Sequence, residues 1–197
     1  MSILEYSNKL RFYNHLKDRG VGVDTQCWID WNSERVWFPL WSVNGRLIGY
    51  QRYSWQEEKV RSNRGKYFTW ITEEYKPLAC WGLSQLSLAR RPAISPSQPI
   101  LVVEGIFDAL RCVEAGYVAL GVLGATPSKQ FVSWFKMLLQ GRNTIAILDN
   151  DENNAGCGLT KLCTSAIMCE WYKDMGDHNK HEAKRWLHDK ISKTHLR

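Results

Sequence analysis

No stretch of the chain approaches the roughly 20 consecutive apolar residues that a membrane span needs. Its opening, MSILEYSNKLRF, carries an acid where a signal peptide would be basic and then apolar. A cytoplasmic protein is expected, with no membrane partner. The six cysteines (27, 80, 112, 157, 163 and 169) form no CxxC pair, and three of them recur every six residues. That pattern suits neither a zinc knuckle nor a small disulfide scaffold. They read as reduced, mostly buried thiols, and zinc is not expected as a cofactor. Internal repeats and low-complexity runs are also missing. What is left, with 44% hydrophobic and 23% charged residues over 197 positions, is a globular chain of one domain or one and a half that can bury a core.

Charge is unevenly placed. Residues 1–96 carry 14 Lys/Arg against 9 Asp/Glu, residues 97–178 carry 6 against 9, and residues 179–197 carry 6 against 2. Basic flanks around an acidic segment fit a polyanion held beside metal ions that screen its charge. A net charge of +6 is also simply a solubility charge, and charge alone does not separate the two readings.

The chain divides by pattern. Residues 4–20 read as a helix closed by Arg19 and a Gly20 stop. From Arg35 to Thr69, short apolar or alternating runs flank Asn44-Gly45, a hairpin-turn dipeptide, and predict a small β-rich region. Six of the ten Trp fall before residue 71; most are expected in core or strand faces, with one or two exposed rings available to stack on bases. A Pro/Ser-rich stretch over 91–99 marks a linker. Beyond it, strands at 100–103, 117–122 and 144–148 alternate with helices at 106–115 and from Thr126-Pro127 to Gln140, and a further helix is expected near Gly156 or Gly158. That alternation predicts an α/β, mainly parallel sheet flanked by helices. The expected organisation is a basic α+β subdomain over 1–96, an α/β domain over 97–178, and a basic, solvated helical tail over 179–197.

In open parallel sheets, functional residues lie just past the carboxyl ends of strands. Here acids stand there twice: Glu104-Gly105, with Asp108 four residues on, after the strand at 100–103, and Asp149-Asn150-Asp151 after the strand at 144–148. A carboxylate at the end of a buried strand is costly unless paired or bound to a cation. Several converging on one sheet edge suggest oxygen ligation of magnesium or manganese. Taken singly, each acid could instead answer a helix dipole.

The ordered set ILVVEGIFDAL, GVLGA and IAILDNDENNAG resembles the Toprim domain shared by bacterial and phage DNA primases, topoisomerases and some nucleases. The resemblance places divalent metal, two ions in number, on Glu104, Asp149 and Asp151, with Asp108 added by the primase-type EGxxD pattern. Lys173-Asp174-Met175-Gly176-Asp177 is similar to a third acidic motif of primases, adding Asp174 and Asp177 to the metal set; a polar loop or helix cap is the other reading of Asp174, Asp177 and His178.

The upstream region favours primases over the other branches. Arg35-Val36-Trp37-Phe38-Pro39-Leu40, then Gly45 to Arg52, then Gly65 to Thr69, follow the order of a primase pattern, and Tyr13 to Gly20 resembles the helix that opens its polymerase region. The resemblance implies that Arg52 and Lys66, with Arg46, Arg64 and Lys173, contact template, nucleoside triphosphate or nascent RNA; ordinary strand-surface charge is the alternative. It implies a DNA-dependent RNA primase core of phage or mobile-element type, working in the host cytoplasm on single-stranded DNA. With no Cys/His module or P-loop in the sequence, a separate zinc-binding protein or a replicative helicase is the further partner to expect. A Toprim nuclease and a non-catalytic nucleic-acid-binding protein are the competing functions.

Overall fold

The computed structural model describes residues 3–55, 65–86, 98–124, 127–150, 155–170 and 175–194. Two four-stranded sheets organise the described residues. The first follows helix α1 (Ile3–Asp18) and is wholly antiparallel in the order β1 (Trp28–Asp30), β2 (Arg35–Trp41), β3 (Leu47–Ser54), β4 (Tyr67–Ile71). Its turn at Asn44-Gly45 is as expected, with Gly45 at φ +79°. Strand β1 is an addition to the predicted set. Strand alternation sends Val36, Phe38, Leu40 and Tyr53 to one face, where all four are buried.

The second sheet is wholly parallel, in the order β6 (Val118–Gly121), β5 (Ile100–Val103), β7 (Thr144–Leu148), β8 (Ser165–Met168). Its three leading strands are buried at every position, which is why they read as unbroken apolar runs. Helix α2 (Ile106–Glu114) links β5 to β6 and α3 (Lys129–Leu138) links β6 to β7. Helix α2 and α4 (Lys180–Thr194) pack on one face of this sheet, whereas α3 and the 3-10 turn Ala155–Lys161 pack on the other. The mixed α/β architecture agrees with the sequence expectation.

Helix α2 is buried nearly all round, its charged Asp108 and Arg111 included, and that is what joins the halves. Its Ala109 and Cys112 enter the parallel-sheet core, while Ile106, Phe107 and Leu110 pack with Phe12, Leu16, Phe38 and Tyr53 of the antiparallel half. Arg111, fully buried, donates to the Glu114 carboxylate and to the Asp18 carbonyl at the end of α1. Gly20 adopts φ +84° there, and a Cβ on it would lie 3.1 Å from the Glu114 carboxylate, so the predicted stop is also a packing requirement.

Three local expectations need correction. The cap of α3 is Ser128, whose hydroxyl accepts from the Phe131 N–H at 3.1 Å, not Thr126. The helix expected near Gly156 is a 3-10 turn, short enough to let β8 fit before the third acidic motif. The C-terminal helix is not a solvated tail: Ala183, Trp186, Leu187 and Ile191 are buried in the core beneath the parallel sheet. Most of the linker at 91–99 lies outside the described residues. Cys80 and Leu83, ahead of it in sequence, already belong to the parallel-sheet core. Cys80, Cys112 and Cys169 are buried, as expected of inert thiols, and burial raises the Cys163 thiol to about 12. No described helix is long and apolar enough to cross a membrane.

Candidate active site

Strand order β6-β5-β7-β8 makes the gap between β5 and β7 a topological switch point, because the chain leaves β5 toward one face and β7 toward the other. Glu104 follows β5 and Asp149 follows β7. Both are half-buried and line a cleft of about 270 Å³ whose other walls include Arg19 from the end of α1, Gln51 from β3, Tyr67 from β4, and Leu123-Gly124 after β6. The cleft is thus built from both sheets.

Backbone geometry fixes the acidic side. The Leu123 N–H donates to the Glu104 carbonyl at 2.8 Å, and Leu123 adopts φ +67°, a left-handed conformation that costs a leucine about 1–2 kcal/mol. At Gly121 a Cβ would lie 2.9 Å from the Gly105 carbonyl oxygen, so only glycine lets the end of β6 approach the turn that carries Glu104.

Asp108 also borders the cleft but is 6% exposed, and both its oxygens are engaged. One accepts from the Gly105 N–H at 3.2 Å and the other from the Gly176 N–H at 2.7 Å. In this geometry it orients the turn behind Glu104 and ties the 3-10 turn Met175–Asp177 to α2. Gly176 is packed so closely that a Cβ would lie 2.9 Å from Phe107 Cβ and 3.1 Å from both Arg19 Nη2 and Asp108 Oδ1. Asp177 stands on the surface and pairs with Arg19 at 3.2 Å.

The cationic side centres on α1. Arg19 is buried and lies over the Phe107 ring, 4.3 Å from its centroid. One helical turn earlier, His15 Nε2 is 2.7 Å from the Tyr53 hydroxyl, and its ring stacks on Trp55 at 5.0 Å. Burial first, then the nearby charges of Arg19 and Lys66, lowers the His15 pKa to about 4, so the ring is neutral at pH 7. Burial likewise pushes Tyr53 up to about 12. Lys66 Nζ lies 5.4 Å from the Tyr53 ring centroid.

The other cations named from sequence are placed differently. Arg52 alternates with Gln51 on β3 and therefore faces away from the cleft, with its guanidinium 5.7 Å from the Phe68 centroid. Arg46, at the hairpin end, pairs with Glu74 at 3.4 Å and is not among the cleft residues. Asp151, Asp174, Arg64 and Lys173 lie outside the described residues. Among the described residues no three His, Cys, Asp or Glu side chains gather as a metal site; Glu104 and Asp149 contribute two, and their all-oxygen donor set suits a hard divalent cation. Arg19, Gln51 and Tyr67 were not singled out as cleft residues by sequence. The helix motif ending Arg19-Gly20 and the period-2 pattern of β3 were the signals available for two of them.

No protein-family model and no curated protein sequence matches the chain. Solved structures do. A structure of the DnaG catalytic core superposes with a TM-score of 0.67 at 15% identity, covering 96% of this chain and 77% of that one. A DnaG primase catalytic domain bound to ssDNA gives 0.59 at 19% identity, over 92% of this chain and 58% of that one. The RNA polymerase domain of Mycobacterium tuberculosis primase DnaG, in complex with a double-stranded DNA oligomer with a 6-nucleotide overhang, gives 0.61 at 18% identity, over 91% and 60%. The chain therefore spans less than two thirds of the length of the latter two. It has the fold of the DnaG primase catalytic core.

Proposed function

We propose that this chain is a primase catalytic core that makes short RNA on single-stranded DNA by metal-dependent nucleotidyl transfer. The observation that carries the reading is the composite cleft. Glu104 and Asp149 stand at the switch point of the parallel sheet, and Arg19 faces them from the other half. The shared fold and the DNA bound by two of the structural neighbours support it.

Glu104 and Asp149, with Asp151 beside them in sequence, would hold Mg²⁺ or Mn²⁺, which when bound screens the charge that develops as a 3′ oxygen joins an α-phosphorus and pyrophosphate leaves. Arg19 and Lys66 supply fixed cations for triphosphate and template phosphates. Asp108 holds the Gly105 turn so that Glu104 keeps its direction. Neutral His15 holds the Tyr53 hydroxyl without adding charge behind Arg19. The residue pattern that resembles a Toprim domain, the nucleoside triphosphates, and a zinc-binding or helicase partner belong to this proposal together.

The test is synthesis against cleavage. Purified protein is given single-stranded DNA, labelled ribonucleotides and either metal, and the products are resolved by length. Short oligoribonucleotides with intact template support the reading; cut template with no incorporation overturns it in favour of a nuclease.

A further inference from the structure

Further along α2 than the cleft, the two halves leave a hollow of about 640 Å³, within the roughly 300–1,000 Å³ of small-molecule sites. It shares no lining residue with the cleft. Its walls are the loop after α1 with Asp24, strand β2 with Trp41, the segment before β5 with Trp81 and Gln85, and α2 with Leu110 and Glu114. Its charge is the reverse of the chain's. In a protein of net charge +6, two carboxylates line this hollow, and among the described residues no Lys, Arg or His borders it. Glu114 is already met by the buried Arg111, so Asp24, exposed on its loop, holds the charge left over. Two polar atoms on the walls have no partner among the described residues. Gln85 donates its amide N–H to the Ala119 carbonyl at 3.0 Å, and its buried side-chain oxygen is left without a donor; the Trp41 indole N–H is buried without an acceptor. Orphaned polar groups of this kind are rare in folded chains.

We infer that this hollow binds an organic cation, an alkylammonium or guanidinium group on a body that carries an amide. Asp24 and the indole rings of Trp41 and Trp81 favour positive charge, and the same carboxylate repels phosphate, so the hollow is not a branch of a nucleic-acid path. An amide supplies one acceptor for the Trp41 N–H and one donor for the Gln85 oxygen. Leu110 and the ring edges cover the methylenes that join the two groups. That chemistry has two sources, a free acylated amine or amino-acid derivative, and a Lys or Arg residue of a partner peptide. Occupancy would act on the cleft from behind. The loop that holds Asp24 leaves α1 directly after Arg19, and α2 holds Asp108 one turn before its wall residues begin, so a bound cation braces both elements against each other. The inference does not depend on the proposed reaction.

The experiment is an NMR titration of the full chain, nitrogen-15 labelled, with Nα-acetyl-arginine methylamide, its neutral citrulline counterpart, and a pentapeptide with the same arginine between leucines. The indole N–H resonances report on the site, and Trp41→Phe assigns that of Trp41. Wild type should bind the capped arginine with a Kd below about 1 mM, in the range of a small ligand in a preformed hollow, and the Trp41 indole resonance should shift. The citrulline compound, which keeps the shape and loses the charge, should bind at least about fivefold more weakly. Asp24→Lys, at an exposed position, should keep the wild-type melting temperature and lose at least about tenfold in affinity. A pentapeptide that binds at least about tenfold tighter than the capped residue assigns the site to a partner's basic residue, and equal affinities assign it to a free small molecule; both support the inference. Equal binding of the arginine and citrulline compounds, wild-type affinity in Asp24→Lys, or a Trp41 indole resonance unmoved by any of the three ligands would overturn it.

Discussion

The Arg19 guanidinium lies 3.2 Å from the Asp177 carboxylate while its flat face covers the ring of Phe107. The end of α1 is thereby fastened to two elements of the parallel-sheet half, and a cleft residue is held at their junction. The two partners should respond unequally to mutation. Asp177 is open to solvent, so Asp177→Asn should cost less than about 1 kcal/mol. Arg19→Ala removes the buried stem and the stack as well, and should cost about 2–3 kcal/mol. Urea denaturation of the two variants measures the difference, and equal losses would contradict it.

Asp108 and Asp149 should separate cleanly. Asp108→Ala leaves the Gly105 and Gly176 N–H groups without their acceptor and should cost about 2 kcal/mol or more. Asp149→Asn removes a carboxylate facing another across the cleft and should leave stability unchanged or raised. Manganese should raise the melting temperature of wild type and of Asp108→Asn, but not of Asp149→Asn. A shift lost in Asp108→Asn would return Asp108 to the metal set.

Acid sensitivity follows from His15. Its pKa in the folded protein, about 4, lies below the roughly 6.5 of an unfolded chain, so between these values the unfolded state binds more protons. Stability from this residue is complete above about pH 6.5 and declines as pH falls toward 4. His15→Gln, which can still bond Tyr53, should flatten that part of the stability curve. A His15 resonance titrating near 6.5 by NMR would contradict the burial argument.

Much of this was legible in sequence wherever local pattern and tertiary role coincide. The buried runs of β5 and β7, the Gly20 stop and the acids after each strand were readable because strand ends in a parallel sheet form one functional edge. Arg19 could be read as a helix end but not as a cleft wall, since that depends on α2 packing against both halves. The direction of Arg52 turns on strand parity, one residue from Gln51, which motif order does not encode. Asp108 has the spacing of a metal ligand, yet Gly176, 68 residues away, fixes its other oxygen. The basic composition of 179–197 concealed the four apolar residues that bury α4.

Lys66 stands beside Tyr53 on the cleft side of the sheet, whereas Arg46 pairs with Glu74 elsewhere. Lys66→Ala should therefore weaken single-strand binding and reduce the salt slope by about one. Arg46→Ala should leave both nearly unchanged. Equal slopes for the two variants would show that the charge acts through the whole surface and not through the cleft.

The most direct measurement is extension of an RNA primer annealed to a DNA template by one labelled ribonucleotide, with manganese, comparing wild type, Glu104→Gln and Asp149→Asn in a single turnover. Starting from an annealed primer removes any need for an initiation partner. The account predicts extension by wild type, at least 100-fold slower extension by each variant on the order expected for loss of a metal-holding carboxylate, template binding within about threefold of wild type on the same arithmetic of unchanged cations, and no template cutting. Extension that survives both substitutions, or cleavage in place of extension, would contradict it.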